Sequence, residues 1–205
     1  MSLTKNHLPG FAEPVHDAQR TFRAVLEAMA RPTLPQVIAP VLGGALRTPA
    51  PLGATAGAVL LSLCDEQTPL WLDRPLRASA DVCAWLRFHT GAPLVDEPRE
   101  AVFAVAASPS GAPRLADLAQ GTDEEPHRSA TLVIDSSGAR GTSSLVASGP
   151  GVQGDLVWDG VVLPDDFLEQ WEANRALFPR GVDVILAVDT TVRALPRTTM
   201  LRGNA

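Results

Sequence analysis

The hydrophobic pattern is most continuous near the C-terminus, where Val182 to Val188 reads VDVILAV. A nearly unbroken apolar run rich in β-branched residues is typical of a strand buried on both faces. Asp189 to Thr191 form a predicted turn, and Val192 to Leu195 a short returning strand. This predicted hairpin is antiparallel, because its connection is too short for a crossover.

Helical and strand patterns alternate along the rest of the chain. Apolar residues three and four apart predict an amphipathic helix from Asp17 to Ala30, with Asp17 as its N-cap and an inner face formed by Ala18, Phe22, Val25, Leu26 and Met29. Further helices are predicted over Gly53–Cys64, Ser79–Phe88, Arg114–Gln120 and Pro164–Leu177. Strands or extended segments are predicted over Leu34–Ala39, Pro69–Asp73, Ala101–Ala107, Thr131–Asp135, Ser144–Ala147 and Asp155–Leu163.

This interleaving predicts the α/β class, with a three-layer arrangement of a mixed sheet flanked by helices. Residues 1–13 are polar and lack periodicity, so we expect a flexible tail. Residues 14–205 show no repeat, low-complexity run or linker, and their number suits a single α/β domain.

Composition excludes several partners and compartments. The formal net charge of -6 argues against broad nucleic-acid binding. No apolar run reaches the ~20 residues of a membrane span, and no signal-peptide pattern opens the chain, so a cytoplasmic protein is expected. Cys64 and Cys83 lie in apolar helical patterns, which predicts two reduced thiols in the core.

The balance of cations limits the chemistry further. Lys5 is the only lysine, and it lies in the predicted tail. A Schiff-base enzyme needs a lysine on a rigid element, and a Walker-type phosphate loop needs its own lysine, so both classes are excluded. Arginine forks, backbone N–H groups or hydroxyls must therefore hold any anion. A GC-rich genome would also explain the preference for arginine.

A glycine-rich stretch from Gly149 to Gly154 matches the pattern G-x-G-x-x-G. The residues after it do not open a helix, so we do not interpret it as a dinucleotide site. Zinc-ligand spacing, the G-x-S-x-G elbow and the S-x-x-K signature are also missing from the sequence. No cofactor or metal is therefore expected, although a glycine loop can still bring backbone N–H groups close to an anion.

Three groups of residues form the candidate anion site. One group follows the returning strand near a sheet end, where α/β folds usually open a crevice, one closes a helix, and one forms the glycine loop. We expect at least two of the groups to meet on one surface and to bind a phosphate, a nucleotide or an acidic partner residue. The groups are Arg197, Thr198 and Thr199; Arg87 and His89; and Gly149 and Gly151.

Structural explanations for the same residues stay open. Arg87 and His89 lie in the last turn of a helix, where a cation complements the helix dipole. Arg197 could equally tie down the C-terminal segment through carbonyl groups or a carboxylate.

Several stretches, taken together and in order, resemble one known family. They read PVHDAQRTFRAVLEAMARP, TPLWLDRPL, LRFHTGAPLV, GPGV, FPRGVDVILAV and LPRTTM. This set is similar to the H subunit of the bacterial carbon–phosphorus lyase complex, the PhnH family. The resemblance extends from Pro14 to Met200 and is weakest over residues 108–128.

The resemblance implies a fold similar to the large domain of pyridoxal-phosphate-dependent transferases, without the cofactor. It implies homodimers in isolation and a core complex with the G, I and J subunits. It also implies a requirement for the step in which an alkylphosphonate replaces the base of a nucleoside triphosphate at the ribose C1 position. The alternative is a free-standing enzyme or binding protein for a small phosphorylated ligand.

Overall fold

The computed structural model describes residues 8–138, 141 and 143–204. Within these residues, helices and strands alternate as the sequence predicts. The helices are α1 (Pro14–Ala30), α2 (Ala39–Leu42), α3 (Ala54–Leu63), α4 (Arg74–Ala78), α5 (Ala80–Thr90) and α6 (Phe167–Arg175). The strands are β1 (Gln36–Val37), β2 (Leu70–Leu72), β3 (Leu94–Val95), β4 (Phe103–Ala106), β5 (Thr131–Asp135), β6 (Ser143–Ser148), β7 (Leu156–Val161), β8 (Asp183–Val188), β9 (Thr191–Leu195) and β10 (Met200–Gly203).

Two sheets organise these strands. The larger sheet has the order β1-β9-β8-β5-β4-β2-β3. Its strands β8, β5, β4, β2 and β3 run parallel, and β9 runs antiparallel to both of its neighbours. The smaller sheet has the order β10-β6-β7 and is antiparallel. The predicted mixed α/β class is confirmed, whereas the separate second sheet is not visible in the sequence pattern.

The central strands β5 and β8 are buried on both faces, as their apolar runs predict. Val133 and Ile185 face a core cluster that also contains side chains of α1, α3 and α5. Leu132 and Leu186 face a second cluster that contains side chains of α6 and of the smaller sheet. The molecule therefore has three layers, with the large sheet in the middle.

Helix α5 starts one residue after the predicted Ser79 and ends at Thr90, two residues beyond the predicted Phe88. The Ser79 hydroxyl accepts a hydrogen bond from the Val82 N–H, and Gly91 takes the left-handed conformation at φ 73°. None of the helices in the described ranges is both long and apolar enough to cross a membrane.

Helix α1 departs from its predicted start and inner face. It begins at Pro14, and the Asp17 carboxylate, four residues inside, accepts a hydrogen bond from the Glu13 N–H at 3.0 Å. The buried face carries the small residues Thr21 and Ala28 together with Val25, while Phe22 and Leu26 are exposed. The Thr21 hydroxyl lies buried without penalty because it donates to the Asp17 carbonyl. Close packing on the sheet thus selects the small residues rather than the large apolar ones.

The predicted helix over Arg114–Gln120 is wrong, because the segment contains only a 3₁₀ turn at Leu115–Asp117. The Gln120 amide explains this difference. It donates to the carbonyl groups of Leu115 and Leu118 at 2.6 and 2.9 Å, which offers the backbone an alternative to helical hydrogen bonds.

Residues 8–13 are packed against the domain and do not form a free tail. The Leu8 carbonyl accepts a hydrogen bond from the Trp85 indole at 2.9 Å, and the Pro9 carbonyl accepts one from the Arg47 N–H at 3.0 Å. Phe11 packs against the first core cluster. The rest of the predicted tail, residues 1–7, lies outside the described residues.

Asn174 on α6 fastens the start of β8. Its amide donates to the Val182 carbonyl at 2.9 Å and accepts from the Val182 N–H at 2.7 Å, in a fully buried setting. Asn174→Ala leaves both backbone groups without a partner. We expect the free energy of unfolding to fall by about 2–4 kcal/mol, because each buried unpaired group costs about 1–3 kcal/mol.

Urea unfolding followed by circular dichroism tests this expectation. The matched control is Asn204→Ala, which removes an exposed side-chain hydrogen bond and should change stability by less than about 0.5 kcal/mol. Equal effects of the two substitutions would show that Asn174 has no special role.

Candidate functional site

All three guanidinium nitrogens of Arg197 donate hydrogen bonds to other residues of the same chain. Its backbone N–H and Nε donate to Asp183 Oδ1 at 2.7 and 3.1 Å, and Nη2 donates to Asp183 Oδ2 at 2.6 Å. Nη1 donates to Ser129 Oγ and to the carbonyl groups of Pro126 and Pro179. The geometry therefore favours the structural explanation for this arginine.

The direction of β9 explains why Arg197 does not reach a typical α/β crevice. Ligands of such folds bind at the carboxyl ends of the parallel strands. Since β9 runs antiparallel to β8, the segment that follows it lies at the amino end of β8, beside Asp183. Arg197 therefore lies near an end of the sheet, as expected, but at the amino ends of the parallel strands and not at the carboxyl ends where ligands bind.

The glycine loop and the turn after Arg197 lie side by side. Gly149 adopts φ 122°, and a Cβ on it would lie 3.1 Å from the Thr198 carbonyl oxygen. Gly151 adopts φ 79°, and a Cβ on it would lie 2.2 Å from the Ala30 carbonyl oxygen. Two of the three predicted groups are thus brought together. Their contact is close backbone packing, which explains why glycine stands at both positions.

Thr199 contributes to the same packing. The residue is fully buried, and its carbonyl accepts a hydrogen bond from the Trp171 indole at 2.9 Å. Its hydroxyl makes no hydrogen bond within the described part of the chain. Thr198 beside it is half-buried. This group therefore connects α6 to the residues that lead into β10.

The third predicted group, Arg87 and His89, faces the N-terminal segment. His89 Nε2 lies 3.0 Å from the Leu8 carbonyl oxygen, and its ring packs against the rings of Trp85 and Phe88. Arg87 is exposed. No described contact connects this group to the glycine loop or to the turn after Arg197.

At the carboxyl ends of the parallel strands, the chain places its own buried carboxylates. Asp73 follows β2 and accepts hydrogen bonds from the Leu76 and Ala107 N–H groups at 3.1 and 2.8 Å. A Cβ on Gly111 would lie 2.4 Å from Asp73 Oδ2. Burial raises the pKa of the Asp73 carboxyl above its ordinary value of 3.8, against the opposing effect of both hydrogen bonds.

Asp135, at the end of β5, occupies the neighbouring position. It is buried, and a Cβ on Gly53 would lie 1.9 Å from Asp135 Oδ2. Gly53 is the N-cap of α3, so the carboxylate stands beside the helix N-terminus, where anionic ligands commonly bind. This end of the sheet is therefore occupied by the protein's own negative charges, which disfavours a phosphate there.

An open groove lies between α1 on one side and β1 and α2 on the other. Its volume is about 650 Å³. Arg20 and Arg23 line it and also line an adjoining pocket of about 330 Å³. Sequence reasoning missed both residues, although two arginines three apart on an amphipathic helix already indicate one cationic face.

The Cys64 thiol is not available as a nucleophile. Both cysteines are free, as predicted, and burial raises the pKa of the Cys64 thiol to about 12. At neutral pH this group is a protonated core residue. Within the described ranges, no three His, Cys, Asp or Glu side chains are grouped to hold a metal ion.

We predict that Arg197→Ala destabilises the fold and that Arg87→Ala does not. The first substitution removes the guanidinium group and leaves the poorly exposed Asp183 carboxylate with the backbone N–H of residue 197 alone, which should lower the free energy of unfolding by about 2–4 kcal/mol. The second removes an exposed side chain and serves as the matched control. Urea unfolding measures both; an Arg197→Ala protein as stable as the control would restore the ligand-binding explanation.

The raised pKa of Asp73 predicts a pH dependence. The folded chain holds this proton more tightly than the unfolded chain, so the contribution to stability is complete below pH 3.8 and is lost as the pH rises through the folded pKa. Asp73→Asn cannot titrate. We expect the stability of the wild type relative to this variant to fall between pH of about 4 and neutrality. Urea unfolding at several pH values tests the sign, and a relative stability that grows with pH contradicts it.

Comparison with known proteins identifies the family. A model of the family described as "Bacterial phosphonate metabolism protein (PhnH)" matches residues 9–202. The chain is 42% identical over 191 residues to the alpha-D-ribose 1-methylphosphonate 5-triphosphate synthase subunit PhnH of Rhizobium meliloti (strain 1021), a match that covers 93% of each chain. This chain therefore belongs to the PhnH family of bacterial phosphonate metabolism proteins.

Proposed function

We propose that the protein is a subunit of the carbon–phosphorus lyase system. In this role it is required for making a ribose 1-alkylphosphonate 5-triphosphate from a nucleoside triphosphate and an alkylphosphonate. The observation that carries the proposal is the 42% identity, over 93% of both chains, with a protein named as a subunit of alpha-D-ribose 1-methylphosphonate 5-triphosphate synthase. Two chains of this identity over this length share a fold, which supports the same role for this chain.

The geometry supports a subunit that depends on its partners. The carboxyl ends of the parallel strands are filled by Asp73 and Asp135, and the Cys64 thiol is protonated at neutral pH. The only lysine, Lys5, lies outside the described residues. A chain of this kind stabilises or completes a site to which other subunits contribute the reacting groups.

The proposed partners are the G, I and J subunits of the core complex, with a homodimer in isolation and a cytoplasmic location. We also propose that the fold is similar to the large domain of pyridoxal-phosphate-dependent transferases without the cofactor. The support is the mixed seven-stranded sheet, with one antiparallel strand near its edge and helices on its faces.

One observation favours the second candidate, a free-standing enzyme or binding protein for a small phosphorylated ligand. The groove that Arg20 and Arg23 line is large enough for such a ligand. The two candidates differ in what the purified chain does by itself.

We expect the purified chain alone to produce no ribose alkylphosphonate, and the chain combined with its partner subunits to restore production. The reason is that the buried Cys64 thiol is protonated at neutral pH and that, within the described ranges, no three His, Cys, Asp or Glu side chains are grouped to hold a metal ion. Co-expression and co-purification with the G and I subunits, followed by phosphorus NMR of the products, is the measurement. The control omits only this chain from the set.

Turnover by the isolated chain would favour the second candidate. A chain that elutes as a monomer, fails to co-purify with either subunit and can be omitted without loss of product would refute the proposed function.

A further inference from the structure

We propose that the groove between α1, β1 and α2 binds a small organic phosphate. In this site Arg20 and Arg23 hold the phosphoryl group, and Val37, Ile38 and Pro40 contact the apolar body of the ligand. The inference rests on the groove alone and is compatible with both candidate roles, because a subunit of a complex and a free-standing protein can each bind such a ligand.

The cationic wall is suited to an anion. Arg20 and Arg23 lie one turn apart on the same face of α1, so both guanidinium groups reach one ligand. Arg23 forms no salt bridge within the described ranges. Arg20 has a single described acceptor, Asp17, at a long 3.4 Å, and that buried carboxylate also accepts from the Glu13 N–H. Both cations thus retain donors for a phosphoryl group.

The one acidic side chain that lines the groove does not cancel this charge. Glu27 is paired with Arg31 at 2.8 Å, one turn further along α1. The adjoining pocket is lined in addition by His16 and Gln19, and no acidic side chain is among its lining residues. The groove therefore presents a net positive wall in a chain whose overall charge is -6.

The opposite wall is apolar. Val37 on the edge strand and Pro40 in α2 are exposed there, while the almost fully buried Ile38 and Val41 also line the groove. A volume of about 650 Å³ lies in the range of roughly 300–1,000 Å³ that small-molecule sites occupy. Inorganic phosphate alone fills a small part of this space, so the fitting ligand combines an anionic end with an apolar body.

A partner strand is a poor occupant of the same groove. The edge strand β1 has only two residues and lies between Pro35 and Pro40. Proline has no N–H to donate, and short proline-flanked edges are a common protection against strand addition. The observations therefore favour a small molecule over an extended peptide.

Isothermal titration of the isolated full chain with phenyl phosphate tests the proposal, with inorganic phosphate and benzyl alcohol as partial probes. We expect saturable binding of phenyl phosphate and at least about tenfold weaker binding of either partial probe, since each lacks one half of the recognised group. If inorganic phosphate binds as tightly as phenyl phosphate, the apolar wall has no role and the proposed ligand class is wrong.

Substitutions locate the binding. Arg23→Gln should weaken phenyl phosphate binding by about tenfold or more, because it removes a charge-assisted contact. Arg202→Gln, which removes an exposed arginine of the smaller sheet, is the matched control and should bind as the wild type does. Val37→Ser should weaken phenyl phosphate binding while leaving inorganic phosphate binding unchanged. Wild-type affinity in Arg23→Gln and Val37→Ser, with folding verified by circular dichroism, overturns the proposal.

Discussion

The guanidinium group of Arg197 joins its own segment to two others that are distant in sequence, residues 126–129 and 179–183. It contacts Asp183 at the start of β8, Ser129 and Pro126 before β5, and Pro179 after α6. Because the side chain is only 15% exposed, these hydrogen bonds are shielded from water and the carboxylate depends on this partner. The chain continues from this point into β10 of the smaller sheet. The arginine thus fixes the passage of the backbone from the large sheet to the small one.

The same joint explains the glycine-rich stretch. Gly149 lies against the Thr198 backbone, and Gly151 lies against the end of α1, so the loop follows the surface that Arg197 positions. A motif that resembles a nucleotide fingerprint here serves close backbone packing. At the carboxyl ends of the parallel strands, glycines again allow a close approach, this time by the Asp73 and Asp135 carboxylates. At both ends of the sheet, these residues therefore make contacts within the protein. The open cationic groove lies elsewhere, along α1.

The sequence predicts the individual helices and strands of this fold better than it predicts which elements pair or pack together. β5 matches its predicted bounds, and α5 begins within one residue of its predicted start at Ser79, because apolar runs and helix-capping residues are local properties of the chain. The second sheet was not predictable, since β10 pairs with β6 across more than fifty residues of sequence. The inner face of α1 was wrong because close packing against the sheet favours Thr21 and Ala28 over larger apolar residues.

The candidate site was less predictable for a related reason. That Arg197 follows a strand is evident in the sequence, but which end of the sheet it reaches depends on the direction of β9 relative to strands far away. Its acceptors come from two other segments, residues 126–129 and 179–183, and no periodicity reveals them. Arg20 and Arg23 could have been found as a cationic helix face, whereas the apolar wall opposite them is formed only when β1 pairs with β9.

The central claim is that Arg197 and Asp183 act as one structural unit. A double-mutant cycle with Arg197→Ala, Asp183→Ala and the combined variant, each unfolded in urea, measures their coupling directly. The account predicts a coupling energy of about 1–3 kcal/mol, so that the second substitution costs little once the first is present. A coupling energy indistinguishable from zero, with all variants folded, would contradict it.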